Sequence, residues 1–184
     1  MYSYDAFAEN YDSFYSSPEC DKEDHELVYL IRKNLEGNTL DVGSGTGWLL
    51  DKMYFDPVTY TGVDVSLPMT DVCKRKHPTH QVIHGSVLDC NGQYGTIMAI
   101  YGVFSYMTVQ EVEHLANLAQ PNAKCYFMAY RPGYHPTIVT ANGIKPPSFD
   151  PDDFEAKEAI IRRVFPEVYL QLVFNKYLVL TNFK

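Results

Sequence analysis

A carboxylate followed by three alternating glycines is the first place in this chain where residue types and spacing suggest chemistry. The run is Leu40-Asp41-Val42-Gly43-Ser44-Gly45-Thr46-Gly47. Glycine lets a backbone turn tightly and lets a ligand approach without meeting a side chain. A loop that cradles a dinucleotide spaces its glycines as GxGxxG and aims helix N–H groups at the pyrophosphate. Here the spacing is GxGxG, one residue shorter, and Asp41 stands two positions before the first glycine. A carboxylate there repels a diphosphate and attracts an ammonium group. The loop therefore suits a ligand with a positive amino group. An NAD-linked oxidoreductase on a similar sheet is the competing reading, and both the spacing and Asp41 count against it.

A second carboxylate, Asp64, ends the apolar run 59–64. An acidic residue at such a strand end can accept hydrogen bonds from both hydroxyls of a ribose. Its alternative role is to cap the helix that begins near Leu67, although Ser66 can do this instead. His135, in Arg131-Pro132-Gly133-Tyr134-His135-Pro136, is the candidate general base, and Arg131 could bind a substrate carboxylate. His25, His77, His80, His84 and His114 lack metal-ligand spacing, so no metal is expected. Neither a GxSxG elbow nor an HExxH helix occurs.

These residues need elements to hold them. Residues 39–42 read as a short strand running straight into the glycine loop, and Trp48, Leu49, Leu50 and Met53 resume a helical pattern. Strands are predicted at 59–64, 80–84, 96–101 and 125–130, with helices at 67–76, 109–118 and 153–164 between and after them. The end, 168–174 and 177–183, alternates around Asn175-Lys176 and predicts an antiparallel hairpin. Strands alternating with helices predict an α/β fold, a mostly parallel sheet with helices on both faces. Residues 131–150 carry four prolines and two glycines and read as a substrate-side loop.

With that order of elements, the chain resembles the class I S-adenosylmethionine-dependent methyltransferases. Their first motif reads acidic-x-Gly-x-Gly-x-Gly, matched by Asp41, Gly43, Gly45 and Gly47, and their second is matched by Asp64. The resemblance covers residues 4–130 as ordered motifs. It implies a single Rossmann-like three-layer domain over 1–184, with a seven-stranded sheet ending in the hairpin. It implies S-adenosyl-L-methionine as cofactor, with the glycine loop around its methionine part and Val65 an apolar edge for its adenine. Members often hold the adenine amino group with an acidic residue after the third strand. This chain has Ser86 there, and Ser86, Val87 and Asp89 share the candidacy. Ile100, Tyr101 and Gly102 would lie beside the sulfonium, with Tyr101 and Tyr106 lining the pocket. Tyr106 joins His135 as a candidate catalytic residue.

Tyr4, Phe7, Ala8, Tyr11 and Tyr15 form one helical stripe within 1–20. That segment, extended to residue 24, is read as a lid that closes over the cofactor and brings Tyr11 to it. A helix packed permanently on the body is the alternative.

Composition limits the partners. The formal charge is −8, and the one dense basic run is Lys74-Arg75-Lys76, which argues against nucleic acid. Cys20, Cys73, Cys90 and Cys125 show no CxxC spacing and read as free thiols. No signal-peptide pattern and no membrane-length apolar run is found, so a cytoplasmic location is expected. The chain has no Asn-Pro-Pro-Tyr or Pro-Cys run for base methylation, which favours a small-molecule O or N nucleophile. A protein that binds the cofactor without methylating, as regulator or partner subunit, remains the alternative, and the oligomeric state stays open.

Overall fold

The computed structural model describes residues 4–136 and 147–184. Half of the expected substrate-side loop, 137–146, lies outside the described residues.

Five strands run parallel: β1 (Thr39–Val42), β2 (Tyr60–Asp64), β3 (Gln81–His84), β4 (Tyr94–Ala99) and β5 (Ala119–Tyr130). β7 (Tyr177–Thr181) pairs antiparallel with β5, and β6 (Tyr169–Val173) pairs antiparallel with β7. Among the described residues the sheet has seven strands in the order β3-β2-β1-β4-β5-β7-β6. Every residue of β1 and β4 is buried, because helices cover both faces of a parallel sheet and its strands need no polar side.

The helices are α1 (Pro18–Asn34), α2 (Trp48–Lys52), α3 (Leu67–Lys76), α4 (Val109–Asn117) and α5 (Pro151–Val164). One apolar layer joins the sheet to α4 and α5 through Val112, Leu115, Phe154 and Ile161. The other joins it to α1, α2 and α3 through Leu27, Ile31, Leu49 and Cys73. The starts of these helices are legible in their caps. Ser66 accepts from the Met69 N–H, and Asp150 accepts from the N–H groups of Asp152 and Asp153. Thr108 and Glu111 form a reciprocal capping box.

β1 lies between β2 and β4, where the chain turns from building one half of the sheet to building the other. The carboxyl ends of strands at such a point leave a crevice that connecting loops can line. The glycine loop follows β1 directly into that crevice.

The amino-terminal segment differs from the single lid expected over 1–24. A 3-10 helix, Asp5–Tyr15, is followed by a break and then by α1. The break has a local cause. Pro18 fixes its own φ and favours the first helical turn, while the Ser17 side chain accepts from the Cys20 N–H at 3.2 Å. Residues 18–24 thus belong to a body helix. Only Asp5–Tyr15 packs as a cover, through Ala8 against Met69 and Val72 of α3. Residues 119–124 lie before the strand expected over 125–130 and extend β5, with the pairing shifted between Tyr94 and Thr96.

Candidate active site

A cavity of about 420 Å³ opens beyond the carboxyl ends of β1, β2 and β4. Its floor is the glycine loop. Gly43 has φ +71°, and a Cβ there would fall 2.5 Å from Val103 Cγ2. Gly45 has φ +54° and faces open space, so a side chain at that position would enter the cavity. Gly47 does not line the cavity. Its φ is +91°, and a Cβ would meet the Cys73 Sγ at 2.8 Å, so this glycine lets the loop pack on α3.

Asp41 is 2% exposed. Its Oδ2 accepts from the Tyr60 hydroxyl at 2.7 Å, while its Oδ1 and the buried Ser44 Oγ have no partner. Burial pushes the Asp41 carboxyl up to about 7 against the lowering effect of Tyr60. Two orphaned polar atoms at the edge of a cavity are what a ligand with N–H donors would satisfy. Asp64 also lines the cavity, and burial raises its carboxyl. It accepts from the Gly45 N–H at Oδ2 and from the Ser66 N–H at Oδ1, both at 2.9 Å. Asp64 therefore shapes the loop as well as facing the cavity, while Ser66 caps α3.

Val65, Val87, Ile100, Tyr101, Tyr106 and Tyr11 all line the same cavity. Ser86 does not. Its hydroxyl donates to the Glu111 Oε1 at 2.6 Å and accepts from the Leu88 N–H. Asp89 is likewise occupied, accepting from the Ser86 N–H at 2.9 Å. The carboxylate at this end of the cavity is Glu111, which the sequence reading missed. Burial raises its carboxyl, but hydrogen bonds from Ser86 and Thr108 outweigh that and hold it below the usual range. The capping-box spacing of Thr108 and Glu111 is a sequence signal for a helix start. Only the packing of α4 beside Val87 brings it to the cavity.

Tyr101 holds a left-handed backbone, φ +51°, and donates its hydroxyl to the Asp24 Oδ1 at 2.5 Å. Asp24 also accepts from the Trp48 Nε1 at 3.0 Å and pairs with the Lys52 Nζ at 2.8 Å. A carboxylate of α1 thereby fixes two aromatic rings of the wall.

The 3-10 cover crosses the mouth. Tyr4 and Tyr11 line the cavity, and the Tyr4 and Tyr106 hydroxyls lie 3.1 Å apart. The cover is tied to the body at three elements. Ser66 donates to Asp5 at 2.6 Å, Thr46 of the glycine loop donates to Asp12 at 2.5 Å, and Arg75 and Lys76 pair with Glu9 and Asp12. Two of the three residues in the basic run are thus engaged by the cover.

His135 is placed elsewhere. With Arg131, Tyr134 and Lys157 it lines a separate cavity of about 30 Å³. Arg131 donates its Nε to the Asn175 carbonyl at 2.7 Å. Among the described residues no cluster of His, Cys, Asp or Glu could hold a metal ion, and no helix is long and apolar enough to cross a membrane.

Residues 39–122 match the family described as a methyltransferase domain. No curated protein matches the chain in sequence. Among solved structures, DesVI of Streptomyces venezuelae is 14% identical, with a TM-score of 0.63 over 95% of this chain and 97% of that one. A TehB-like SAM-dependent methyltransferase from Corynebacterium glutamicum is 13% identical, with a TM-score of 0.60 over 96% of each chain. CalS10 of Micromonospora echinaspora, an amino pentose methyltransferase solved with SAM bound, is 12% identical, with a TM-score of 0.61 over 87% of this chain and 90% of that one. The domain match spans the glycine loop and the strands β1, β2, β3 and β4, and these solved methyltransferases share the fold over most of the chain.

Proposed function

We propose that this chain transfers a methyl group from S-adenosyl-L-methionine to an O or N nucleophile of a small molecule. The observation that carries the cofactor assignment is the pair of unpartnered buried atoms, Asp41 Oδ1 and Ser44 Oγ, beneath the glycine loop. A bound α-ammonium supplies the donors they lack. Asp64 is the acceptor for the ribose hydroxyls, Val65 and Val87 flank the adenine, and Glu111 in place of Ser86 accepts from its amino group. Ile100 and Tyr101 follow β4 and stand on the methionine side.

When bound, the cofactor supplies an electrophilic methyl on positively charged sulfur. The residues need only hold a nucleophile in line and exclude water, and positioning of this kind can lower a barrier by roughly 7–11 kcal/mol. The tyrosines of the cover and Tyr106 serve that purpose. His135 acts as base only if its loop carries it to the cavity, a distance its present lining of another cavity does not bridge. CalS10, which shares this fold, is an amino pentose methyltransferase, and that supports a small-molecule acceptor.

Calorimetry with S-adenosylmethionine, S-adenosylhomocysteine and NAD tests the reading, followed by transfer of labelled methyl to a panel of small nucleophiles. Micromolar binding of the S-adenosyl ligands, weak binding of NAD and transfer to some acceptor are expected. Binding without turnover would favour the regulator alternative. Tight NAD binding without S-adenosyl binding would overturn the assignment.

A further inference from the structure

The part of the cavity that faces the mouth is an aromatic wall. Tyr4, Tyr11, Tyr101, Tyr106 and Trp48 line it. The rings are held rather than loose. Tyr106 meets Tyr130 edge-on at 6.2 Å, Trp48 meets Tyr101 at 5.0 Å, and Tyr4 meets both Tyr11 and Tyr106. Among the described residues, the charged groups that line the cavity are Asp41, Asp64 and Glu111. All three are carboxylates. Asp41 is the third residue of β1 and Asp64 ends β2, under and beside the glycine loop, and Glu111 is bonded to Ser86.

We propose, resting on the methyltransferase reading above, that this wall selects a flat, uncharged aromatic acceptor and that the atom methylated is a nitrogen with a free lone pair. With the cofactor in place, no cationic side chain of the described lining is left to pair with a carboxylate or phosphate, and the ring faces oppose an anionic substrate. They favour a group that gains positive charge, because the face of a tyrosine ring attracts a cation. In the step itself, the nitrogen lone pair forms the new N–CH3 bond while the C–S bond breaks. The electron pair of that bond passes to sulfur, which leaves as the neutral thioether. Positive charge moves from sulfur to nitrogen, toward the rings.

Proton chemistry points the same way. A phenol or thiol acceptor must lose its proton to a base. Burial raises the hydroxyls of Tyr4, Tyr11, Tyr101 and Tyr106 above the ordinary tyrosine range, so they remain protonated and serve as donors. A weakly basic aromatic ring nitrogen is unprotonated at neutral pH, keeps its lone pair free and needs none of this help.

The test uses the full chain saturated with S-adenosylhomocysteine and three probes on one ring: quinoline, N-methylquinolinium and quinoline carboxylate. The neutral and cationic probes are expected to bind at least tenfold tighter than the carboxylate. Tyr106→Phe should keep that affinity, and Tyr106→Leu should lose at least fivefold for the neutral probe. With S-adenosylmethionine present, competing quinoline and hydroxyquinoline should give methyl on nitrogen. An equal or tighter carboxylate, no binding by any probe, an unchanged Tyr106→Leu, or transfer to oxygen and not to nitrogen overturns the proposal while leaving the cofactor reading intact. Failure of S-adenosylhomocysteine to saturate the chain instead overturns both.

Discussion

Replacing Asp41 by Asn is expected to move stability and ligand affinity in opposite directions. The wild-type carboxyl is 2% exposed, and burial carries it from 3.8 to about 7. Asn keeps the size and an oxygen for the Tyr60 hydroxyl, and it removes the ionisation. In the ligand-free protein the folded state holds the Asp41 proton until about pH 7, whereas the unfolded chain releases it near the ordinary value. The contribution to stability is thus complete in acid, is lost as pH rises, and levels off above about pH 7. Roughly three decades of proton affinity at about 1.4 kcal/mol each give a loss on the order of 4 kcal/mol. Relaxation and water entry at real sites make this an upper figure. The Asn variant should therefore match wild type near pH 4 and exceed it at pH 8. A gain of only half the upper figure would raise Tm by about 4–8 °C in a chain of this size. Binding should show the reverse. Without a charge to meet the ligand ammonium, affinity for S-adenosylhomocysteine at pH 8 should fall by about 1.5–3 kcal/mol. Wild-type affinity should rise between pH 6 and 8 as Asp41 ionises, and that slope should vanish in the variant. Urea unfolding and calorimetry at several pH values measure both. A variant less stable than wild type at pH 8, or one with wild-type affinity and pH slope, would refute the assignment of Asp41 to the ammonium.

Gly45→Val is expected to abolish S-adenosylhomocysteine binding while the protein stays compact, because φ is +54° and the new side chain would point into the cavity; normal affinity by calorimetry would place the ligand elsewhere. Amides of residues 4–15 should exchange quickly without ligand and slowly with saturating S-adenosylhomocysteine, since a 3-10 helix with one buried residue, Ala8, and a few side-chain hydrogen bonds and ion pairs opens at small cost. Equal protection in both states would make the segment a fixed part of the body.

The core strands were legible because their patterns are long and consistent. Residues 39–42 and helix 67–76 emerge with the bounds expected, and Tyr177 and the alternation before Asn175 give the hairpin. The amino-terminal lid was drawn too long, since a stripe of tyrosines does not reveal that Pro18 and Ser17 restart the helix. That Asp41, Gly43, Gly45 and Asp64 line one cavity was legible because backbone conformation in a glycine loop and charge near strand ends are local requirements. Glu111 was hidden because its role depends on where α4 packs, and its nearest sequence signal, the capping box with Thr108, has a complete local explanation. Ser86 was misjudged for the same reason. Its hydroxyl is satisfied by a residue far away in sequence.

Asp12 is shared between Thr46 in the glycine loop and Lys76 on α3, and Asp5 is bonded to Ser66, whose N–H is held by Asp64. Cover and cofactor loop are therefore joined through shared residues, and thermodynamic reciprocity follows. If an occupied loop favours the closed cover by some factor, a closed cover must tighten the loop's ligand by that same factor. Ionic strength enters this cycle through the exposed Glu9–Arg75 pair, which salt screens. The dissociation constant of the cofactor should thus weaken with added salt even though the exposed pair that responds, Glu9 and Arg75, is absent from the cavity lining.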